Sequence, residues 1–356
     1  MKIDDKTSHN SPSLRFPEFT GEWEECKIED ITDAVSSGKS KNHFSNGEYN
    51  LYGSTGIIGR TDKALYDGKL VLVARVGANA GFLQIINEPC GITDNTLILK
   101  PKGIDAFYLY YFLQHFNLNR LIFGSGQPLI TGGMLKKVKV SLGTVSEQSK
   151  IVKFLSLLDE RIAVQNRLID RLQSLMKGIR HRIINEAKGK IVCLCEVSDI
   201  YQPQTISSAD LTETGYPVYG ANGIIGHYTS YNHEAEQVCI TCRGNTCGGV
   251  NYTKSKSWIT GNAMVVNVDR YQNIVSKRYL YHYLSNCDFN SIISGSGQPQ
   301  IVRAPLAKFK IILPTVMQQY KIAHCLDVIQ NKINVNSNIL NLLIRQKQYL
   351  LRKMFI

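Results

Sequence analysis

Two apolar periods alternate along the chain. Short β-branched runs such as Leu70 to Val73 and Met264 to Val268 are broken by Gly and Asn turns, which is the pattern of strands in a loop-rich fold. After Glu147-Gln148 the period lengthens: Leu155, Leu158, Ile162, Ile169, Leu172, Met176, Ile179 and Ile183 step by three and four, with Gln165 the one polar member. The same step returns in Leu326, Ile329, Ile333, Asn336, Leu340, Leu343, Lys347, Leu350 and Met354. Both series are heptad seams of long helices. Asp105 and Ser276, residue types that cap helix amino termini, each predict a shorter helix inside the strand-rich parts.

The pattern is written twice. Tyr52-Gly53-Ser54-Thr55-Gly56-Ile57-Ile58-Gly59 returns as Tyr219-Gly220-Ala221-Asn222-Gly223-Ile224-Ile225-Gly226, 167 residues later (52 to 219), with six of eight positions identical. Gly124-Ser125-Gly126-Gln127-Pro128 recurs unchanged as Gly295-Ser296-Gly297-Gln298-Pro299, displaced by 171 (124 to 295). Between them Tyr108-Leu109-Tyr110 matches Tyr279-Leu280-Tyr281, and upstream Cys26 to Ile31 echoes Cys195 to Ile200. A period this long is a domain with an appendage, not a solenoid unit.

The expected fold class is α+β. Two similar mixed α/β domains, 14–146 and 188–317, are each followed by a long helix, 147–187 and 318–356. One apolar stripe per helix predicts that the two pack as an antiparallel coiled coil, relating the domains by an approximate two-fold axis. At roughly 1.5 Å per residue the first helix reaches about 60 Å and acts as a spacer. Gln165 and Asn336 coincide under the 171-residue displacement, either as polar residues that fix the register or as solvent-facing side chains where the helices splay.

Charge narrows the class of partner. Among 356 residues, 41 Lys and Arg against 29 Asp and Glu leave a formal charge of +12, an excess suited to a polyanion. No apolar run approaches the ~20 residues of a membrane span, and Met1 to Phe19 lacks the apolar core of a signal peptide, so a cytoplasmic protein without a membrane partner is expected. Nine scattered cysteines do not read as a disulfide framework.

Catalytic signatures are missing. Adenine methylation needs Asp or Asn before Pro-Pro, and the chain has no Pro-Pro pair. Phe123-Gly124-Ser125-Gly126 is followed at once by Gln127-Pro128 and opens no helix as a nucleotide loop would. Glu186-Ala187-Lys188 has the spacing of a nuclease fragment but lies at a helix end without a preceding-strand Asp. Cys239-x-x-Cys242, with Cys247, Cys193 and Cys195, has residue types that zinc takes. The first copy has Leu72, Ala74 or Arg75, and Asn79 or Ala80 at the matching places, so small buried cysteines are expected and no metal.

The chain resembles the specificity subunits of type I restriction-modification systems over essentially its whole length. The residues that carry this are Leu14-Arg15-Phe16-Pro17-Glu18-Phe19 leading to Glu22-Trp23, the paired Gly-Ser-Gly-Gln-Pro segments, and the helix starts at Glu147-Gln148 and Gln318-Gln319, all in the family's order. One departure is Leu129 and Gln300, where the family usually has Asn soon after Gln-Pro. The resemblance implies two target-recognition domains, each reading half of a split double-stranded DNA site. It implies helices that set the unread gap and dock two modification subunits. It also implies no catalytic centre and no cofactor in this chain: S-adenosylmethionine belongs to the modification subunits, and ATP with magnesium to the restriction subunits.

For such a task the candidate DNA-binding residues are those suited to base edges or phosphates in loops. They are Arg60, Lys63, Arg75 and Asn79 in the first domain, and His227, Arg243 and Asn245 in the second. Ser125, Gln127, Ser296 and Gln298 lie in the repeated loop, whose sameness favours a phosphate contact or a hinge. The Tyr-Gly-x-x-Gly-Ile-Ile-Gly segment is expected to be a glycine-punctuated turn with its Ile pair buried. Readers of different half-sites should differ between copies, so Arg75-Val76-Gly77-Ala78-Asn79, set against Arg243-Gly244-Asn245-Thr246-Cys247, is the expected specificity region, and the target is expected to be asymmetric. The competing readings are a stand-alone DNA-modifying or DNA-cleaving enzyme and a bivalent protein-binding scaffold.

Overall fold

A computed structural model describes residues 10–41, 46–122, 128–295 and 297–356. The chain divides into two compact units, Met1–Asn166 with Asn338–Ile356, and Arg167–Ser337.

The first unit opens with β1 (Glu24–Lys27) and β2 (Thr32–Ser37), followed by the hairpin of β3 (Tyr49–Gly53) and β4 (Gly56–Thr61). Then come β5 (Lys69–Ala74), β6 (Leu83–Asn87), β7 (Cys90–Ile92), β8 (Thr96–Pro101), α1 (Ala106–Phe116), α2 (Gly132–Lys136) and β9 (Lys139–Leu142). They form a four-stranded sheet in the order β2-β8-β5-β6, a three-stranded sheet β4-β3-β7 and a pair β1-β9. The run Leu70 to Ala74 is buried without alternation because both faces of its sheet are covered. Val71, Val73, Leu97 and Leu99 pack with α1, while Leu70, Leu72, Ile86 and Ile98 pack with Cys90 and Ile92 of the smaller sheet. The Asp105 side chain accepts from Phe107 N at 2.7 Å and caps α1.

The second unit repeats this order with β10 (Lys190–Cys193), α4 (Leu194–Val197), β11 (Asp199–Tyr201), β12 (Tyr216–Gly220) and β13 (Gly223–Tyr228). They are followed by β14 (Val238–Thr241), β15 (Val250–Tyr252), β16 (Trp258–Ile259), β17 (Ala263–Asn267), α5 (Lys277–Leu284), β18 (Ile293–Ser294), β19 (Gln300–Ile301), α6 (Arg303–Ala307) and β20 (Lys310–Leu313). Its sheets, β11-β17-β14-β15, β13-β12-β16 and β10-β20, mirror those of the first unit, with β18-β19 added. Ser276 caps α5 by accepting from Tyr279 N. Tyr108 and Tyr279, the matching tyrosines, do the same work: each hydroxyl donates to a backbone carbonyl, of Ser141 at 3.0 Å and of Ile312 at 2.8 Å.

Two long helices, α3 (Val145–Glu186) and α7 (Val316–Met354), contribute to both units. In the first unit Leu155 and Leu158 of early α3 share a core with Leu343, Leu350 and Met354 of late α7. In the second, Met176 and Ile184 of late α3 share a core with Ala323, Leu326 and Ile333 of early α7. Early residues meeting late ones make the pairing antiparallel, as the seam predicted. Lys347 is the charged break in that seam, and it is held by Asp159 at 2.6 Å. Gln165 and Asn336 are half-buried, and Asn336 also donates to its own helix at Lys332 O, 2.7 Å.

The Glu-Gln and Gln-Gln pairs weld each long helix to its domain. Glu147 is fully buried and accepts from Arg15 Nε at 2.7 Å, Arg15 Nη2 at 2.8 Å and Trp23 Nε1 at 3.1 Å. Phe16 meets Phe154 edge-on at 6.0 Å and Glu18 pairs with Lys150, so the segment Leu14 to Trp23 is pinned along the start of α3. The buried Gln319 accepts from Ser276 N at 2.8 Å and donates to Ile274 O and Pro314 O, each at 2.9 Å.

Two alignments read from the string are out of register. Cys26 to Ile31 does not correspond to Cys195 to Ile200. Ile28 N donates to Val138 O and Leu194 N to Phe309 O, and the backbone of Lys27 donates to Asp30 while that of Cys193 donates to Glu196. The true counterpart of Cys26 to Ile31 is therefore Val192 to Val197, and the matching letters come from two similar stretches three residues apart. The second misalignment lies in the candidate site.

Candidate DNA-reading surface

In the first unit the turn from β5 to β6 runs over residues 75–82. It is closed by Ala74 N to Phe82 O (2.8 Å), Gly81 N to Ala74 O (2.9 Å) and Ala80 N to Gly77 O (2.9 Å). Gly77 and Gly81 have φ of 80° and 86°, the left-handed region in which a side chain would be strained. The turn is stapled to the last residue of the Gly-Ser-Gly-Gln-Pro segment and to the two after it: Gly77 N donates to Pro128 O at 3.0 Å, Ile130 N donates to Arg75 O at 2.9 Å, and Val76 bridges Leu129.

The second unit builds the same object. Thr241 N donates to Gly249 O, Gly248 N to Thr241 O and Cys247 N to Gly244 O, with Gly244 and Gly248 at φ of 84° and 90°. Gly244 N donates to Pro299 O at 3.0 Å, Ile301 N to Cys242 O at 3.0 Å, and Arg243 bridges Gln300. These bonds equate Gly77 with Gly244. Arg75 therefore corresponds to Cys242 and Val76 to Arg243, one residue away from the pairing of Arg75 with Arg243 that the string suggested.

The two arginines differ accordingly. Arg75 is half-buried; its Nη1 reaches Ser37 Oγ at 3.3 Å, and its buried Nε has no hydrogen-bond partner among the described residues. Arg243 is exposed. Asn79 and Asn245 are exposed on the turn itself, and Asn79 borders a cleft of about 330 Å³ that Gln114, Asn117 and Asn119 also line. Arg60 is exposed on β4, but its Nε and Nη2 donate to Gly47 O and Glu48 O at 2.6 and 2.7 Å, so it braces a neighbouring loop. Lys63 is exposed beyond β4, His227 is half-buried on β13, and Gln298 is exposed. Ser125, Gln127 and Ser296 lie outside the described residues. The sequence reading placed Val76 in the specificity region but missed Leu129 and Gln300 as the residues bridged to the turn; the signal was the departure at 129 and 300, directly after the repeated segment.

The Ile pair is not buried. Ile57 and Ile58 are 56% and 48% exposed, and Ile224 and Ile225 are 48% and 50% exposed. The reason is a bulge: Leu51 pairs with Gly59 but Tyr52 with Ile57, and Val218 pairs with Gly226 but Tyr219 with Ile224. The extra residue suspends the alternation that would turn one isoleucine inward.

The cysteines scatter. Cys239 and Cys242 belong to different apolar clusters of the second unit, Cys193 and Cys247 are half-buried, and Cys195 is exposed. Burial pushes the Cys239 and Cys242 thiols above the ordinary range, away from the thiolate that binds metal. Among the described residues no helix is long and apolar enough to cross a membrane.

Two domains of one topology, each presenting a stapled turn of differing side chains, define a protein built as a tandem repeat. The family model "Type I restriction modification DNA specificity domain" matches twice, over residues 20–174 and 187–345, and the chain belongs to that family. It is 31% identical over 148 residues to the specificity subunit of the Escherichia coli type I restriction enzyme EcoprrI, a match covering 40% of this chain and 36% of that one. It is 20% identical over 358 residues to a putative type I specificity subunit of Haemophilus influenzae, with 92% of each covered. In fold it is similar to the type I S subunit from M. genitalium, at a TM-score of 0.72 and 18% identity, with 97% of this chain and 99% of that one covered.

Proposed function

We propose that this chain is the non-catalytic DNA-reading subunit of a type I restriction-modification complex, in which each unit reads one half of a bipartite, asymmetric duplex target. The observation that carries this reading is one scaffold built twice with different side chains on the same stapled turn. A scaffold common to both halves suits a common ligand, duplex DNA, and side chains that differ suit different base pairs. The charge of +12 suits the phosphate backbone. In this reading the two long helices set the unread gap and dock two modification subunits, which bring S-adenosylmethionine. Restriction subunits bring ATP and magnesium, this chain binds no cofactor, and the complex works in the cytoplasm. Support for assembly comes from a fold relative, at a TM-score of 0.54 and 15% identity, described in a study of complex assembly and conformational transition of the type I restriction-modification system.

The test is a duplex gel-shift under salt titration, with a parallel methylation assay. Affinity falls steeply as salt rises, and methyl transfer from S-adenosylmethionine appears only when modification subunits are added. Methylation by the purified chain alone would overturn the non-catalytic reading, and salt-insensitive or absent binding would overturn the DNA reading.

A further inference from the structure

We infer that the cross-strand pairs Val76·Leu129 and Arg243·Gln300 are specificity determinants. In this assignment the second pair reads adjacent guanine and adenine, and the first reads a thymine methyl. The inference rests on the DNA-reading function above and names the chemistry at its centre. The turns of the two units share every framework bond described: both left-handed glycines, the three closing bonds, and the bonds from Gly77 to Pro128 and from Gly244 to Pro299. On that shared frame the bridged position is Val against Leu in one unit and Arg against Gln in the other. Residues bridged across an antiparallel ladder stand side by side on one face, so each pair presents a single small surface.

The two surfaces have opposite chemistry. Arg243 is exposed and Gln300 half-buried beside it, which gives a guanidinium fork next to a primary amide. A guanidinium matches guanine O6 and N7, and an amide matches adenine N6 and N7, each through two hydrogen bonds in the major groove. Val76 and Leu129 are half-buried and offer only methyl groups, which match the thymine C5-methyl, the one apolar feature of the major groove. The apolar pair also has a neighbour able to hold phosphate or a base edge, Asn79 on the same turn. Neither surface is built for the phosphate backbone alone, because that task would favour the same residues in both units.

Grafting tests this with little disturbance of the frame, since the same backbone bonds carry Val and Leu in one unit and Arg and Gln in the other. In the complex with modification subunits, Arg243→Val with Gln300→Leu is expected to lose roughly 10- to 100-fold in discrimination at one or two base pairs of a single half-site, with the other half-site unchanged. Arg243→Lys keeps the charge but not the fork, and is expected to keep overall affinity while losing discrimination at one position. Replacing thymine by uracil in the half-site read by the first unit is expected to weaken binding several-fold, and Val76→Ala with Leu129→Ala to remove that difference. A uniform loss across all sequences, with a shallower salt dependence, would make Arg243 a phosphate contact and overturn the inference. So would unchanged discrimination in the double variants. Failure of the unaltered complex to bind duplex DNA would instead overturn the DNA reading itself.

Discussion

A buried charge is stable only when every partner is present, and Glu147 shows how much one residue can carry. Arg15 clasps it with two nitrogens and Trp23 adds a third donor, while Arg15 also donates to Gly21 O. The hydrogen bonds to Glu147 hold the Arg15 guanidinium even more firmly protonated than usual. Glu147→Ala leaves the half-buried Arg15 guanidinium and the buried Trp23 Nε1 without their acceptor and is expected to cost about 1–3 kcal/mol in denaturant unfolding of the first unit. A loss below about 1 kcal/mol would show the clasp to be incidental. His282 is the residue whose charge state matters in the second unit. It is fully buried, with Nε2 2.7 Å from Asp327, and burial pushes its pKa down to about 4. Arg278 pairs with the same carboxylate, and the charges of Arg180 and Arg278 also oppose protonation. The folded state therefore favours neutral His282. Its contribution is fully present above the unfolded value near 6.5 and is lost as pH falls towards about 4, roughly 3 kcal/mol in all. Unfolding curves between pH 7 and 4 should show that loss, and His282→Phe should flatten it.

Elements were more legible than contacts. The seam of threes and fours defined both long helices because a buried stripe on a helix has no other period, and its polar breaks mattered in detail: Lys347 is half-buried and paired with Asp159. Asp105 and Ser276 announced α1 and α5 because a cap is a local signal. The Ile pair was misread because alternation assumes one residue per pairing step, and a bulge breaks that assumption invisibly. Removing an exposed isoleucine should cost little: Ile57→Ser is expected to change stability by no more than about 0.5 kcal/mol. By contrast, a side chain at Gly53 would start 2.8 Å from Ile58 Cγ2 and one at Gly220 2.9 Å from Ile225 Cγ2, so Gly53→Val should disturb the β3–β4 hairpin. Circular dichroism melts of the two variants distinguish the cases. The candidate turn was found by residue type, but its register was not, since Arg75 and Arg243 are the same letter in different structural places. The backbone bonds to Pro128 and Pro299, and the bridges Val76 to Leu129 and Arg243 to Gln300, separate them.

At the scale of the whole chain the repeat was the clearest signal, because two long stretches of like order are improbable unless each folds as a unit. What the repeat could not reveal was the register in which the two turns correspond, which the backbone bonds supply. The shared glycine turns proved to be frame, and the differing residues mounted on them are the candidates for reading DNA. The family match over 20–174 and 187–345 follows the same two halves. A protein built this way should impose two different tastes on one stretch of duplex. The most direct measurement is single-molecule sequencing of methylated adenine in cells that express this chain with its modification subunits. The expected motif has two unlike specified segments separated by a fixed number of unread bases, and exchanging the turn at 75–82 should alter one segment alone. A continuous or palindromic motif, or a motif indifferent to that exchange, would contradict the account.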